Sequence, residues 1–438
     1  MSHPPIADLS EGSFHSGFVP GPSRGDGATR TTPEFIDHRI YSFSQPSRVN
    51  TPDWEEIRSQ YPLAEKGGYF NTASFGAISK STAAVAQADI DELLYTGARN
   101  YEQWVANYFE LKTVLAEYLN CHERNMAFFP DSSNGINKVS ELLSRKDEVI
   151  LIHDDFPSVT LPWITRNYKI AWIDYQDFVA DYLTEIEKRL KKGAKILCLS
   201  SVFFNHGFRI DPKKVGKLCR KYDCKFILDA TQGLGAFPID TTGSHIDFMV
   251  SSCFKWFMAG YGVSIGYVSD TILKEFEINQ SGWQILKNYT KNPEKKKNYK
   301  TDASRFELGH LKFQNLNMLL ESLRGMKSIG FKNITNRTLE LTQLLRTQLS
   351  GTGIETISSV SPLPSGILAI KSKKRFLKNL EGAGIAFSPR KNYIRFSSYF
   401  YTSEQDIDEL VNLLKGLQSS IKDSSGPEEA RLKTGGRQ

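Results

Sequence analysis

The sequence predicts an α/β fold, in which a large region is built on a mostly parallel sheet and a smaller α+β region follows it. Short apolar runs alternate with amphipathic helical patterns between residues 148 and 268. These runs are nearly continuous in apolar residues, which is typical of strands covered on both faces of a parallel sheet. Beyond residue 315 the pattern changes to two long helices and then to short, separated strands.

Periodic apolar residues predict the helices of the large region. On the second helix, Trp104, Tyr108 and Leu111 share one face. The predicted helices are Thr82–Tyr95, Trp104–Leu119, Asp181–Leu190 and Asp211–Tyr222. A further amphipathic helix is expected around Ile136, after a turn rich in hydroxyl groups.

Short runs of Val, Ile, Leu and Phe predict the strands. They are Phe128–Phe129, Glu148–Ile152, Ile170–Ile173, Lys195–Ser200, Lys225–Asp229, Ile246–Ser251 and Val263–Val268. Functional sites in such sheets gather at the carboxyl ends of the strands. We therefore expect the chemistry of this protein in the turns that follow these runs.

The smaller region and the chain ends have their own patterns. The smaller region is predicted to contain helices Asn315–Ile329 and Ile334–Gln348 and strands Gly366–Ile370 and Asn392–Ser397. We expect a large domain over 51–310 and a small domain over 311–418. Residues 1–50 and 419–438 are polar or rich in Gly, Pro and Ser, so we expect flexible terminal segments there.

The composition is that of an ordinary soluble protein, with 40% hydrophobic and 24% charged residues and a mild net charge of +6. Lysines cluster within residues 287–300 and 371–378, but no nucleic-acid motif accompanies them, so we expect solvated surfaces and no nucleic-acid partner. No apolar run has the length of a membrane span, and we expect no membrane partner. Five scattered cysteines favour reduced thiols in a cytoplasmic protein, and we expect no metal site.

Two charged residues follow neighbouring apolar runs and indicate a specific chemistry. Asp229 ends one predicted strand, and Lys255 follows another, Asp247–Val250. A buried lysine at a strand end is suited to a Schiff base with a carbonyl or with pyridoxal phosphate. An aspartate beside it can keep the pyridoxal ring nitrogen protonated, which the ring requires to act as an electron sink.

The surrounding motifs resemble the core of the class V aminotransferases, a branch of the fold-type I pyridoxal-phosphate enzymes. They are the Asp-x-x-Gln of Asp229–Gln232 and the Ser-x-x-Lys-Trp-x-x-x-Gly-Tyr-Gly of Ser252–Gly262. The resemblance covers roughly residues 69–414 and is to the isopenicillin N epimerase-like and kynureninase-like branch. It implies a seven-stranded, mostly parallel sheet in the large domain, with pyridoxal 5′-phosphate as the cofactor, and catalytic roles for Lys255 and Asp229.

The resemblance also implies a phosphate seat. Ser133 falls at the position of a phosphate-binding hydroxyl, with Ser132 beside it, and Ser252 falls at that of another. A helix N-terminus exposes free N–H groups that favour an anion. The commoner meaning of serines before a helix is a plain N-cap, which is the alternative here. Phe254 stands where desulfurases often have a histidine.

Two further residues are assigned to the cofactor ring by the resemblance. Phe156 falls where a ring stacks on the pyridine, although an aromatic residue after a strand is often part of the core. Gln232 is the candidate for the contact with the ring oxygen. Asn205 lies in a loop that approaches the ring, but counting from Gly207 places Phe204 there instead.

The substrate contacts are also implied by the resemblance. Arg395 lies on an apolar strand and falls where relatives bind the α-carboxylate of the substrate, the alternative being an internal salt bridge. Ala73 lies in a strand and turn over Tyr69–Gly76 near that carboxylate, and Asn205 is the third candidate. His310 replaces a threonine that reaches the phosphate of a neighbouring subunit, and the turn still implies a homodimer.

These observations favour an enzyme that acts on an amino acid, most simply an aminotransferase. A β-lyase or an epimerase shares the same first steps, and a non-catalytic protein that retains the fold is the alternative of another class. Cysteine desulfurases carry a nucleophilic cysteine on a loop shortly before the carboxylate-binding arginine. The last cysteine of this chain is Cys253, so that route is impossible through the loop at 381–390.

Overall fold

The structure is a computed structural model that describes residues 52–277, 279–288, 294–295, 298–357, 363–390 and 392–424. The predicted flexible segment at 1–50 lies outside the described residues, as do three lysines of the first cluster, Lys291, Lys296 and Lys297. The predicted tail at 419–438 lies outside them from residue 425 onward, and the last helix continues to Ser424.

The large sheet has seven strands. In chain order they are β1 Met126–Phe129, β2 Glu148–Ile152, β3 Lys169–Ile173, β4 Ile196–Ser200, β5 Lys225–Asp229, β6 Phe248–Ser252 and β7 Ser264–Val268. Their order across the sheet is β1-β7-β6-β5-β4-β2-β3, and only β7 runs against the others. The predicted mostly parallel, seven-stranded sheet is therefore confirmed.

Helices cover both faces of this sheet. The helices of the larger region are, in chain order, α1 Trp54–Ser59, α2 Pro62–Glu65, α3 Lys80–Tyr95, α4 Tyr101–Leu119, α5 Ser132–Leu142, α6 Pro157–Thr165, α7 Tyr175–Ala180, α8 Tyr182–Lys191, α9 Pro212–Lys221 and α10 Asp270–Glu275. On β5, Phe226 and Leu228 join one hydrophobic cluster and Ile227 joins another. This alternation places a core on each face, which explains why the strands are apolar at every position.

The smaller region contains α11 Phe313–Ile329, α12 Phe331–Leu349, β8 Ile367–Lys371, α13 Lys374–Gly382, β9 Ser388–Pro389, β10 Tyr393–Ser397 and α14 Glu404–Ser424. Its three strands form an antiparallel sheet in the order β8-β10-β9. The predicted helices and strands of both regions lie within about three residues of the observed ones, a difference that is ordinary at the ends of elements.

The N-terminal part of the described chain joins the small sheet. Tyr69 and Asn71 form single bridges with Ala386 and Ser397, so the predicted strand at Tyr69–Gly76 is a pair of isolated bridges. Arg58 of α1 is buried and bonds both carboxylate oxygens of Asp406. These contacts place the turn after Asn71 beside the strand that carries Arg395.

Seven helices and one strand have no counterpart among the predicted elements: α1, α2, α6, α7, α10, α13, α14 and β9. Helix α6 contains Pro162, which weakens its helical pattern in the sequence. Apart from α14, the others are nine residues long or shorter, and such lengths give too few apolar repeats for a clear period. The helix that follows Phe156 and the strand that precedes Arg390 were therefore not predicted. Helix α14 has a helical apolar period at Ile407, Leu410 and Leu414, a signal that the prediction did not use.

Candidate active site

The carboxyl ends of β5 and β6 bring the two predicted catalytic residues to one cavity. Asp229 is the last residue of β5, and Lys255 follows β6 by three residues. Both line a cavity of about 220 Å³, the inner cavity. The remaining residues of the inner cavity are Asp131, Ser132, Ser133, Phe156, Ser158, Ser200, Phe204, Thr231, Gln232, Ser252 and Phe254.

A second cavity of about 590 Å³, the outer cavity, shares five lining residues with the inner one. The shared residues are Phe156, Phe204, Gln232, Phe254 and Lys255. The outer cavity is completed by Ala73, Ser74, Asn205, Arg390, Tyr393 and Arg395. Ten site residues were predicted from the sequence. Seven of them line the inner cavity, and the other three, Ala73, Asn205 and Arg395, line the outer one.

The turn that carries Lys255 is fixed by close backbone contacts. A Cβ atom on Gly76 would lie 1.9 Å from the carbonyl oxygen of Lys255, so only glycine permits this approach. The amide of Gly76 donates a hydrogen bond of 2.9 Å to the carbonyl of Phe254. The indole N–H of Trp256 donates to Gln232 at 2.9 Å. The Tyr399 hydroxyl donates to the Trp256 carbonyl at 2.9 Å. The lysine therefore projects from a rigid support.

The amine of Lys255 lies in an apolar and positively charged environment. Its Nζ is 5.6 Å from the ring centre of Phe156 and 5.3 Å from that of Phe254. Burial lowers the pKa of Lys255 to about 8; Asp229 opposes this shift, and the positive charges of Arg395 and Arg390 add to it. Near neutral pH a much larger fraction of this amine is neutral and nucleophilic than of an exposed lysine.

Asp229 is buried beneath the cavity. Burial raises the pKa of Asp229, while hydrogen bonds from Thr231 and the charge of Lys255 lower it. The Thr231 amide donates to Asp229 Oδ1 at 2.8 Å. A buried, ionised carboxylate is stabilised by a cationic N–H partner, because the positive charge offsets the loss of hydration.

A second buried carboxylate, Asp155, positions the segment before Phe156. It accepts hydrogen bonds from the Phe156 amide at 2.7 Å and from the Ser200 hydroxyl at 2.6 Å. Burial raises the pKa of Asp155 to about 7, against the effect of these bonds. Because Asp155 ties the end of β4 to the start of α6, it fixes the backbone that carries Phe156.

Four hydroxyl groups meet at the start of α5. The Ser132 hydroxyl lies 2.7 Å from that of Ser252, 2.9 Å from that of Thr231 and 3.3 Å from that of Ser264. The Thr231 hydroxyl accepts a bond of 3.1 Å from the Ser252 amide. Such a cluster of hydroxyls at a helix N-terminus can donate several hydrogen bonds to an anion.

The N-cap of α5 is Asp131 and not a serine. The Asp131 carboxylate accepts a bond of 2.8 Å from the Asn134 amide. The Ser133 hydroxyl lies 2.6 Å from that of Ser158 on α6. Since the cap is supplied by another residue, the plain capping alternative does not apply to Ser132 and Ser133.

Phe156 is not part of the hydrophobic core. Its side chain is 37% exposed and lines both cavities. Its ring packs edge-on against Phe204 at 5.1 Å between ring centres. Asn205 lines only the outer cavity, so of the two registers that the sequence permitted, Phe204 is the residue that reaches the inner one.

Gln232 and Ala73 are bonded to each other. The Gln232 amide nitrogen donates to the Ala73 carbonyl at 2.9 Å. Its amide oxygen accepts from Trp256. The Ala73 amide donates to the Ser397 hydroxyl at 2.9 Å. Gln232 therefore links the turn near Asn71 to the turn that carries Lys255, in addition to lining both cavities.

Arg395 is 1% exposed and points into the outer cavity from β10. Its Nη1 donates to the Phe204 carbonyl at 2.7 Å. Its Nη2 donates to the hydroxyls of Ser74 at 2.6 Å and Ser388 at 3.0 Å. No described carboxylate forms an ion pair with it, and its Nε is buried without a partner. The internal salt bridge is therefore absent from the described part of the chain.

Several residues of the two cavities were missed in the sequence. Thr231 lies inside the Asp229–Gln232 motif, where its hydroxyl directly after a strand was an available signal. Ser158 lies on α6, a helix that was not predicted from the sequence. Arg390 lies in the loop that was considered only for its lack of cysteine, and its place in the cavity depends on the short strand β9.

The turn that carries His310 is anchored beneath β1. Glu307 is buried, accepts a bond of 3.0 Å from the Phe128 amide, and accepts another of 2.9 Å from the Tyr108 hydroxyl. His310 itself is exposed, with its ring 4.9 Å from that of Trp283. Its role toward a second subunit stays a prediction.

The residues present fit pyridoxal 5′-phosphate. The hydroxyl cluster at the N-terminus of α5 suits its phosphate, and Asp229 suits its protonated ring nitrogen. Lys255 suits its aldehyde, and Phe156 presents a ring face beside that amine. All four features line the same inner cavity.

Known proteins share this fold. An uncharacterised aminotransferase of Schizosaccharomyces pombe is 24% identical over 380 residues, covering 82% of this chain and 95% of the relative. The apo structure of a cysteine desulfurase from Thermococcus onnurineus has a TM-score of 0.74 at 18% identity, covering 86% of this chain and all of the other. A mutant of C-DES, with glycine covalently linked to its pyridoxal-phosphate cofactor, also has a TM-score of 0.74 at 18% identity, covering 83% of this chain and 99% of the other.

The comparison with family models gives the most specific result. The model of the family described as aminotransferase class V matches residues 97–410, which include Lys255, Asp229 and Arg395. That span covers well over half of the chain. The protein therefore belongs to the class V aminotransferase family, whose cofactor is pyridoxal 5′-phosphate.

Proposed function

We propose that this protein is an aminotransferase that uses pyridoxal phosphate bound covalently to Lys255. The observation that carries the proposal is the buried cation Arg395, which lacks a described carboxylate partner and lines the same cavity as the amine of Lys255. A charge this deeply buried is stabilised by an anion, and the planar guanidinium matches a carboxylate in two-point geometry. An amino acid offers that carboxylate next to a reactive amine.

The geometry of the two cavities supports a role for each of these residues. Asp229 holds the proton of the ring nitrogen, while Ser132, Ser133 and Ser252 bind the phosphate. When bound, pyridoxal phosphate supplies the electron sink that stabilises negative charge at the substrate α-carbon. The amine of Lys255, with its pKa near neutrality, takes and returns the proton at that carbon.

The remaining cavity residues are proposed to orient the cofactor ring and the substrate. Phe156 would stack on the cofactor ring and exclude water, and Gln232 would approach the ring oxygen. Arg395 binds the α-carboxylate, with Ala73 and Asn205 beside it.

The groups around Lys255 favour transamination over epimerisation. Epimerisation by two bases requires a second proton donor on the face of the α-carbon opposite Lys255. Among the described residues shared by the two cavities, Lys255 is the only one that can exchange a proton near neutral pH; the others are three phenylalanines and Gln232. No cysteine lines either cavity in the described chain, which also argues against a persulfide route.

We further propose a homodimer in the cytoplasm. Exposed apolar side chains near the end of α3, Leu93, Leu94 and Tyr95, are suited to contact a second copy. All five cysteines are free, which agrees with a reducing compartment. Among the described residues, no helix is both long and apolar enough to span a membrane.

Borohydride labelling tests the proposal. The purified protein should be yellow, and borohydride reduction followed by digestion and mass spectrometry should find a pyridoxyl group on Lys255. Lys255→Ala should lose both the label and the transfer of ¹⁵N from an amino acid to a 2-oxo acid. A label on another lysine would overturn the assignment of Lys255. A labelled protein that releases ammonia and pyruvate-like products, without transfer of ¹⁵N, would instead indicate a lyase.

A further inference from the structure

The outer cavity contains more positive charge than one carboxylate can neutralise. Of its eleven described lining residues, Lys255, Arg390 and Arg395 are cationic and none is acidic. Both arginines lower the pKa of Lys255, and Arg390 also lowers that of Arg395, so the three charges repel one another across this space. Such an arrangement is stabilised by anions that enter from solution.

Arg390 has few partners within the chain. Its Nη1 donates to the carbonyl of its neighbour Pro389 at 3.2 Å, and its Nε is buried without a partner. Its guanidinium lies 5.7 Å from the ring centre of Phe204. No described carboxylate pairs with it at ion-pair distance. Its charge is therefore available to a ligand in the outer cavity.

The two arginines enter the cavity from adjacent strands. Arg395 lies on β10 opposite Ser388 of β9, and Arg390 follows β9 directly. The amide of Arg390 donates to the Tyr393 carbonyl at 2.9 Å, which closes the turn between the strands. The Ser388 hydroxyl accepts a bond of 3.0 Å from Arg395 and donates to Asn71 Oδ1 at 3.1 Å, so Arg395 is held at one point of the cavity while Arg390 lies at another.

We propose that Arg390 binds a second anionic group, so that the substrate is an amino acid whose side chain ends in a carboxylate or a sulfur oxyacid. This inference rests on the proposed function, in which Arg395 binds the α-carboxylate. The cavity volume of about 590 Å³ accommodates a small amino acid with an extended side chain. The rings of Phe204 and Phe254 line the same cavity and suit an aliphatic stem.

Titration of the visible spectrum with matched ligands tests this subsite. The full-length holoprotein is titrated with L-glutamate against L-glutamine and L-aspartate against L-asparagine. The wild-type protein should bind each acid at least about tenfold more tightly than its amide. Arg390→Gln should weaken binding of the acids by about tenfold or more and leave the amides within about twofold, because the side-chain anion loses a charge-assisted contact. L-cysteine sulfinate and L-cysteate, in parallel, distinguish a sulfur oxyacid from a carboxylate.

A second measurement does not depend on the amine of the ligand. Glutarate, which has two carboxylates and no amine, should raise the melting temperature of the wild-type holoprotein more than butyrate does. Arg390→Gln should abolish that difference. Arg375→Ala, which removes an exposed positive charge on α13 of the same region, is the matched control and should retain it.

The possible outcomes separate the two proposals. Equal weakening of acids and amides by Arg390→Gln would mean that both arginines bind one carboxylate, and would overturn the second subsite. The second subsite would also be overturned if the wild-type protein bound the amides as tightly as the acids. Absence of any pyridoxyl label on Lys255 would instead count against the proposed function, while the comparison of glutarate with butyrate would still decide whether Arg390 binds an anion.

Discussion

At the scale of single residues, the site depends on charges that burial leaves without partners. Asp229 and Arg395 are buried and Lys255 is half-buried, and burial is the largest cause of the pKa shift of each. In such an environment the loss or gain of one neighbouring charge has a larger effect than at a surface. The following two predictions use this sensitivity.

The titration of Lys255 should be visible in the cofactor-free protein. Its pKa is lowered from 10.5 to about 8, so protonation is unfavourable in the folded state and the neutral amine dominates above pH 8. The rate of cofactor uptake should rise as the pH increases through about 8 and then level off. For the same reason the free energy of unfolding should increase with pH between about 8 and 10.5, where only the unfolded chain still binds the proton.

Substitution of Arg390 tests whether a neighbouring positive charge contributes to the lowered pKa of Lys255, and substitution of Arg375 is the control. Arg390→Gln removes a cation that lowers the pKa of Lys255, so the uptake profile should move to higher pH. The titration of the free cofactor is common to all variants and cancels in the comparison. Arg375→Ala should leave the profile in place. A profile that is the same in Arg390→Gln and in the wild-type protein would contradict the electrostatic coupling.

Arg395→Ala should separate binding of substrate from binding of cofactor. Without the guanidinium, the α-carboxylate loses a desolvated partner, at a cost of roughly 2–5 kcal/mol or about thirtyfold or more in affinity. Arg395→Lys should recover little, because an ammonium cannot reproduce the two-point contact. The measurement is the spectral titration with amino acids, with cofactor content determined separately.

Amines that lack a carboxylate are the matched ligands for Arg395. Their effect on the spectrum should be nearly the same in the wild-type protein and in Arg395→Ala. Since Arg395 also bonds the Phe204 carbonyl and Ser74, melting temperatures should be compared to exclude general loosening. Undiminished binding of amino acids by Arg395→Ala would show that the substrate is not bound by its α-carboxylate.

At the scale of elements, the N-terminus of α5 and the turn after β6 form the cofactor seat together. The helix begins at Ser132, where the hydroxyls of Ser252 and Thr231 meet it from β6 and from the turn after β5. The turn after β6 approaches the chain so closely that Gly76 has no room for a side chain. The sheet therefore sets the distance between the phosphate seat and the amine of Lys255.

Ser133→Ala should weaken cofactor retention without unfolding the protein. The loss of a hydrogen bond to a charged phosphate should cost roughly 1.5–3 kcal/mol. The helix should persist because its N-cap is Asp131. Equilibrium dialysis of the cofactor, with circular dichroism as the check on folding, measures this effect. Ser140→Ala, within the same helix and bonded only to the Asn137 carbonyl, is the matched control. Unchanged cofactor affinity in Ser133→Ala would remove this residue from the phosphate seat.

At the scale of the whole molecule, apolar surface remains uncovered near the cavities and on α3. Tyr261 is 65% exposed, although its ring packs on Phe254 and Phe75 at 4.7 Å and 5.1 Å between ring centres. Leu94 and Tyr95 are 68% and 79% exposed. Clustered side chains of this size are typical of surfaces that a second copy covers.

Sedimentation velocity should detect a particle with twice the mass of one chain. The double variant Leu94→Glu and Tyr95→Glu should shift it to the monomer, because charged side chains at the centre of an apolar interface are not solvated. Asn379→Glu on exposed α13 is the matched control and should remain dimeric. A wild-type protein that sediments as a monomer at micromolar concentration would contradict the homodimer.

The sequence by itself determined the fold class, the positions of the main elements and the pairing of Lys255 with Asp229. Its strands are apolar at every position because both faces of the sheet are covered, and this pattern is local enough to be visible along the chain. Lys255 and Asp229 could be paired because the carboxyl ends of parallel strands meet at one edge.

Only the tertiary structure decided which other side chains share the cavities. Arg390 and Ser158 arrive from short elements without a clear period, and nothing near them in the sequence indicates a ligand. Whether Arg395 had an internal partner could not be read from its strand, because a carboxylate from any part of the chain could have met it. Contacts between residues hundreds of positions apart, such as that of Arg395 with Ser74, depend on the packing of the whole molecule, and packing has no local signature in the sequence.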